Sequence, residues 1–337
     1  MDVDPSCPGD TGAPEAAVPG NAGAVGAADA VRQAPALSRV ALLGAGRMGT
    51  PVCGRLVRAG HRVAAFDPRP EREHAVRSVG AEWGRSAVAV ATTADVLITV
   101  LPGPAEAEAA LGDAVFAALA PGAVWIDMTS NAPAAAAPLR ERARAHGVAV
   151  LEAPIGGSPG DAAQGRLRLF VGGVADTLDR CRPLLESVAA PDRIAHMGGP
   201  GTGYTAKLLV NLLWFGQAAA TAEALLLGSR AGIDLRVLCD ALADSAIGSD
   251  LIRRDLPSVF TGDYLASYGL DRIHEQLTAI TAAARHLGTP HEMADTVERL
   301  HRRALDRFGA VDGELLVVAL LEEAAGTRLR SGPPPHE

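Results

Sequence analysis

Aromatic side chains are scarce in this chain, at 4% of 337 residues, and so are cysteines, of which there are four. Cys7, Cys53, Cys181 and Cys239 stand far apart with no C-x-x-C pair. That argues against a disulfide framework or a thiolate zinc site and fits a reducing, cytoplasmic setting. A surplus of positive charge is also lacking. The net charge is -8, whereas a nucleic-acid surface needs a basic stripe to neutralise phosphate. Short basic runs such as Arg302-Arg303 have acids nearby and read as a solvated helix face. The nine histidines show no H-E-x-x-H or comparable spacing, so no metal is expected. A basic segment leading into an unbroken apolar stretch is missing from the start, so no signal peptide is expected. Only Leu208 to Leu227 approaches a spanning length. It carries Asn211, Gln217 and Glu223, and a carboxylate at mid-bilayer costs about 2.5–3.5 kcal/mol. A helix buried in protein is therefore preferred to a membrane span.

What the chain does have is glycine, 37 of them, and short apolar runs separated by turn residues. Residues 1–37 are rich in Ala, Gly and Pro and predict a disordered tail. Residues 38–199 alternate buried-strand patterns with amphipathic stretches, the signature of βαβ units and a parallel sheet. The strands are expected at Val40–Leu43, Val63–Phe66, Val96–Leu101, Ala123–Asp127, Val148–Leu151 and Leu167–Val171. Residues 200–327 are almost wholly helical in pattern, with breaks near Gly232, Gly262 and Gly288. Residues 328–337 are expected to fray. The fold class is thus α/β: an N-terminal Rossmann domain followed by an all-helical domain. A helix from about Gly203 to Gly232, apolar around most of its circumference, is expected to join the two and to be buried on several sides.

The segment Gly44-Ala45-Gly46-Arg47-Met48-Gly49 follows a buried strand and opens a helix. In that context, G-x-G-x-x-G binds a dinucleotide. Gly44 permits the tight turn, Gly46 lets backbone approach a pyrophosphate, and Gly49 allows close helix–strand packing. The free N–H groups of the helix start hold the negative charge. Asp67 ends the second strand, where a carboxylate accepts from both ribose hydroxyls of NAD and repels a 2′-phosphate. Arg69 softens that repulsion. NAD is expected, with NADP possible.

Five motifs, in order, make residues 40–325 resemble the β-hydroxyacid dehydrogenase family, which includes 3-hydroxyisobutyrate dehydrogenases. The first is the glycine turn with Met48. The second is Ala94-Asp-Val-Leu-Ile-Thr-Val-Leu-Pro102, similar to the strand whose Leu-Pro end, here Leu101 and Pro102, lies beside cofactor. In Asp127-Met-Thr-Ser-Asn-Ala-Pro133, Ser130 falls on a cofactor-contacting threonine and Thr129 on the substrate-side serine. In Glu152-Ala-Pro-Ile-Gly-Gly157, Gly156 and Gly157 fall in the substrate loop, with Gly156 replacing the serine that bonds a carboxylate. In Gly201-Thr-Gly-Tyr-Thr-Ala-Lys207-Leu-Leu-Val-Asn211, Lys207 falls on the catalytic lysine and Asn211 on its companion, while Val210 replaces a further asparagine. A second family lysine aligns with Glu275, a reversed charge.

The resemblance implies hydride transfer between nicotinamide and a small 3-hydroxy acid or its carbonyl, with Lys207 as general acid/base and Asn211 beside it. It also implies a homodimer or higher homo-oligomer. Burial and the positive helix end are expected to lower the lysine pKa. Two other readings stay open at this point. Gly156, Val210 and Glu275 suit reduction of an imine or other non-acidic substrate, and a non-catalytic dinucleotide-binding scaffold would keep only the first motif.

Overall fold

The β-branched and leucine-rich runs after Ser38 form strands because they are short, apolar and closed by Gly, Asp or Pro turns. The computed structural model describes residues 38–330. Its strands are β1 (Arg39–Leu43), β2 (Arg62–Phe66), β3 (Glu82–Trp83), β4 (Val96–Thr99), β5 (Val124–Asp127), β6 (Ala149–Glu152), β7 (Ile155–Gly156), β8 (Arg168–Gly173) and β9 (Ile194–Gly198). They lie in the order β3-β2-β1-β4-β5-β6-β8-β7, with β9 off this path against β8. From β3 to β6 every pairing is parallel, in the doubly wound order that places a ligand crevice beyond the strand ends. Val40 and Leu42 face one buried cluster while Ala41 and Leu43 face another, so the sheet is covered on both sides, as a parallel sheet must be.

The expected strands are present within a few residues. The sheet is not wholly parallel, however. β8 runs antiparallel to β6 and β7, and β3, β7 and β9 join the six expected strands.

The helices of the first half are α1 (Gly49–Arg58), α2 (Glu73–Ser78), α3 (Ala87–Ala91), α4 (Pro104–Ala110), α5 (Asp113–Ala118), α6 (Pro133–Ala145), α7 (Pro159–Gln164) and α8 (Ala175–Leu185). Those of the second half are α9 (Thr202–Arg230), α10 (Leu235–Asp244), α11 (Leu270–Leu287), α12 (Glu292–Phe308) and α13 (Leu316–Ala325). Gly288 closes α11 with φ +66, a conformation in which glycine carries no Cβ penalty.

α9 is long and apolar as anticipated and packs against β8, α10, α11, α12 and α13, but it is not enclosed on every side. Leu209, Leu213 and Leu227 are exposed along one stripe, at 49%, 72% and 74%. Nor do residues 328–330 fray: Leu329 is buried, its N–H donates to Glu322, and Arg330 bonds both Glu322 and Tyr264. The predicted tail at 1–37 and the rest of the C-terminal one lie outside the described residues.

Candidate active site

The glycine turn is built as its spacing dictates. A Cβ on Gly44 would stand 2.3 Å from the Val100 carbonyl oxygen, and one on Gly49 would stand 1.8 Å from that of Gly44. Gly44 also has φ +97, so larger residues are excluded twice over. A Cβ on Gly46 would meet only the Arg69 guanidinium, at 3.6 Å, so this position opens outward. Ala45 is buried, Met48 packs against the core beneath the sheet, and Arg47 is exposed. Arg47 reaches across to the Ala266 carbonyl at 3.1 Å, linking the turn to the helical half.

Asp67 is buried at the end of β2, and both its oxygens are occupied. The Ala45 N–H donates to Oδ2 at 2.9 Å, while Arg69 donates Nε to Oδ1 at 2.9 Å and Nη2 to Oδ2 at 3.0 Å. Burial alone would raise the Asp67 carboxyl, but the hydrogen bonds and charge of Arg69 outweigh it and hold the group below the usual carboxylate range. The pair therefore presents a half-exposed guanidinium beside the turn, not a bare carboxylate.

Past β4 and β5, Asp127 organises the next layer. It is fully buried and accepts from the Thr99 hydroxyl at 2.7 Å, the Thr129 N–H at 3.0 Å and the Tyr204 hydroxyl at 2.6 Å. Burial pushes its carboxyl up, against those three bonds. Thr129, expected to face substrate, is turned inward instead: its Oγ1 accepts from the Leu101 N–H at 3.2 Å and so braces the Leu101-Pro102 segment. Ser130 and Pro102 line a cleft of about 180 Å³, with Asn131, Leu208, Tyr268 and Glu275 among its other walls.

α9 is seated on the sheet by backbone contact. A Cβ on Gly203 would fall 2.5 Å from the Phe170 carbonyl oxygen and 2.7 Å from the Gly172 nitrogen. Glu152, buried at the end of β6, accepts from the Gly201 N–H at 2.5 Å and from Arg140 at 3.1 Å, which places a carboxylate at the positive end of the helix. One turn along, Lys207 is half-buried. Burial pushes its ammonium down to about 8, opposed by the Glu314 carboxylate. Of the two causes expected, burial supplies the depression. Glu314 itself is pushed up to about 7 by burial and by Asp255, with Lys207 and Arg47 pulling the other way. Leu208, the residue after Lys207, lines the cleft together with Pro102 and Ser130.

Asn211 is engaged. Its Nδ2 donates to Gln276 at 2.6 Å, and Gln276 donates to the Tyr268 hydroxyl at 2.6 Å. Glu275 faces the cleft, and Arg272, 3.3 Å away, is shared with Glu106 and Asp271, so this wall of the cleft keeps a net negative charge. Gly156 pairs with Arg168 in the sheet, and Gly157 adopts φ +120 on the exposed loop beyond it. Glu152, Asn131, Gln276 and Glu314 were not singled out by the motifs. The buried acid ending β6 was the one signal in reach of sequence reading.

Both halves of the chain match known protein families. Residues 39–199 match the NAD binding domain of 6-phosphogluconate dehydrogenase, and residues 201–321 match the family described as NAD-binding of NADP-dependent 3-hydroxyisobutyrate dehydrogenase. A 3-hydroxyisobutyrate dehydrogenase of Pseudomonas aeruginosa is 37% identical over 215 residues, covering 63% of this chain and 72% of that protein. An NAD-dependent L-serine dehydrogenase of the same organism is 34% identical with the same coverage. The solved structure of Mycobacterium tuberculosis 3-hydroxyisobutyrate dehydrogenase with L-serine superposes with a TM-score of 0.76 at 28% identity, covering 84% of this chain and 99% of that one. The chain belongs to the β-hydroxyacid dehydrogenase family of NAD(P)-dependent oxidoreductases.

Proposed function

We propose that the protein transfers a hydride between a nicotinamide cofactor and a small 3-hydroxy acid or the matching carbonyl compound, with Lys207 as general acid and base. The observation that carries this reading is the lysine itself: half-buried on the first turns of α9, lowered to about 8 by burial, and next in the chain to Leu208, which lines the cleft beside Pro102 and Ser130.

The cradle fits a dinucleotide, because the crowded Gly44 and Gly49 leave the turn tight while Gly46 stays open for a pyrophosphate. The bound nicotinamide supplies or accepts the hydride. The chain's residues handle the proton. In reduction, Lys207 donates from Nζ to the carbonyl oxygen as the carbon gains the hydride; in oxidation, neutral Nζ takes the hydroxyl proton. Asn211, held by Gln276, fixes the position of α11 beside the lysine's helix. Thr129 keeps Leu101 and Pro102 at the cleft rim, where Ser130 offers a hydroxyl. To the backbone amides of Gly156 and Gly157 we assign a single substrate carboxylate, on their place in the family's substrate-loop motif.

Asp67 and Arg69 as a unit support acceptance of either NAD or NADP. The relatives named for 3-hydroxyisobutyrate and L-serine favour a short 3-hydroxy acid. A neutral carbonyl or imine is a second reading, favoured by Glu275 at the cleft, where a second anionic group on the substrate would be repelled. The exposed leucine stripe of α9 supports pairing of the helical halves of two copies.

The test is Lys207→Met. Turnover of short 3-hydroxy acids should fall by about 10²–10⁴ while NADH affinity stays within twofold. Turnover within tenfold of the wild type would remove the role assigned to the lysine. A panel including neutral ketones and cyclic imines decides the substrate class.

A further inference from the structure

Among the described residues, several buried polar atoms lack a hydrogen-bond partner, and of the residues that carry them only Asn131 lines the cleft. Asn131 is 2% exposed and sits between β5 and α6. Its orientation is set by the backbone: Oδ1 accepts from the Ala132 N–H at 2.8 Å, so the amide nitrogen points the other way. That nitrogen is buried and has no hydrogen-bond partner among the described residues. Leaving a buried donor unpaired costs about 1–3 kcal/mol, and Asn131 lines the cleft of about 180 Å³. No described protein group completes this donor, and the cleft is the open space that its residue borders.

The cleft's position identifies the acceptor. In a doubly wound sheet the dinucleotide crosses the strand ends with its pyrophosphate over the turn after β1. Asp67 and Arg69 mark the adenosine side, beyond β2. The opposite half must therefore lie over the ends of β4 and β5, where Pro102 and Asn131 stand. Ala132, Ala135, Leu208 and Ala279 give the cleft apolar walls suited to a flat heteroaromatic ring.

We propose that the Asn131 side-chain amide donates to the carboxamide oxygen of the nicotinamide and fixes which face of the ring is turned toward Lys207. This assignment rests on the dinucleotide reading above. Asn131 is a cofactor-orienting residue that the family motifs did not select.

The experiment compares binding of NADH and of ADP-ribose, which lacks the nicotinamide, to the full chain by calorimetry. The variants are Asn131→Asp, which keeps the oxygen that accepts from Ala132 and loses the donor, and Asn131→Ala. Both should weaken NADH about tenfold and leave ADP-ribose within twofold. The 3-acetylpyridine analogue of the cofactor, which keeps the carbonyl oxygen, should suffer the same loss. Unchanged NADH affinity overturns the proposal, and so does equal weakening of NADH and ADP-ribose, since the residue would then act through the fold. An unchanged NADH affinity with a raised KM for substrate would reassign the donor to substrate and overturn it too. A wild type that binds neither probe refutes the dinucleotide reading itself, an outcome the variants cannot mimic.

Discussion

The depressed lysine has a consequence for rate as a function of pH that differs between the two directions of reaction. Burial takes Lys207 from an ordinary 10.5 down to about 8. At pH 7 roughly one molecule in ten then carries a neutral amine, against roughly one in 3,000 for an unperturbed lysine. Oxidation needs the neutral amine, so kcat/KM should rise about tenfold per pH unit below 8 and level off above it. Reduction needs the ammonium, so it should be flat below 8 and fall about tenfold per unit above. The assay is kcat/KM measured in both directions from pH 6 to 10 at constant ionic strength. Lys207→Met should erase the inflection near 8 as well as lower the rate. Glu314→Gln should move that inflection to lower pH, because the carboxylate holds the ammonium up. An inflection that survives unchanged in Lys207→Met would show that another group moves the proton.

Two further predictions concern other ionisable groups. Arg69→Ala frees the Asp67 carboxylate, so KM for NADPH should rise by about 10-fold or more while that for NADH stays level or falls, as expected for losing a charge-assisted contact; an unchanged cofactor ratio would refute the role given to the pair. His301 is buried beside Phe215, and burial pushes its imidazole down to about 4, with His274 adding to the effect. The unfolded chain takes up a proton below about 6.5 and the folded one does not until about 4. Its contribution to stability is therefore intact above pH 6.5 and lost as pH falls toward 4, by about 3 kcal/mol at most. His301→Leu should show a smaller drop in Tm between pH 7 and 5 than the wild type, and equal drops would refute the argument.

Local signals carried the cofactor half. The turn at Gly44–Gly49 is legible because its constraints are steric and lie within a few residues of one another, and the buried strands because their apolar runs are short and bounded. The two-residue strands β3 and β7 carry too little pattern to read, and the antiparallel direction of β8 depends on pairings with β6 and β7 that no local run specifies. Side-chain direction was harder still. Thr129 sits in the expected motif, yet its hydroxyl turns inward because the Leu101 N–H, 28 residues away, needs an acceptor. The saturation of Asp67 by Arg69 was only half visible, since proximity in sequence gives the partner but not the two-point geometry. The stripe of exposed leucines on α9 was not legible, because composition reports how apolar a helix is, not how much of it the same chain can cover.

Where Gly203 meets Gly172 there is no side chain to compress or swing. Two main chains in direct contact make a joint without play, so the height of the lysine above the strand ends is set by the polypeptide itself. The walls contributed by α11 have no such anchorage. Evolution, or an engineer, can then exchange Glu275 and Ala279 to admit a different molecule while the proton-transfer group keeps its station.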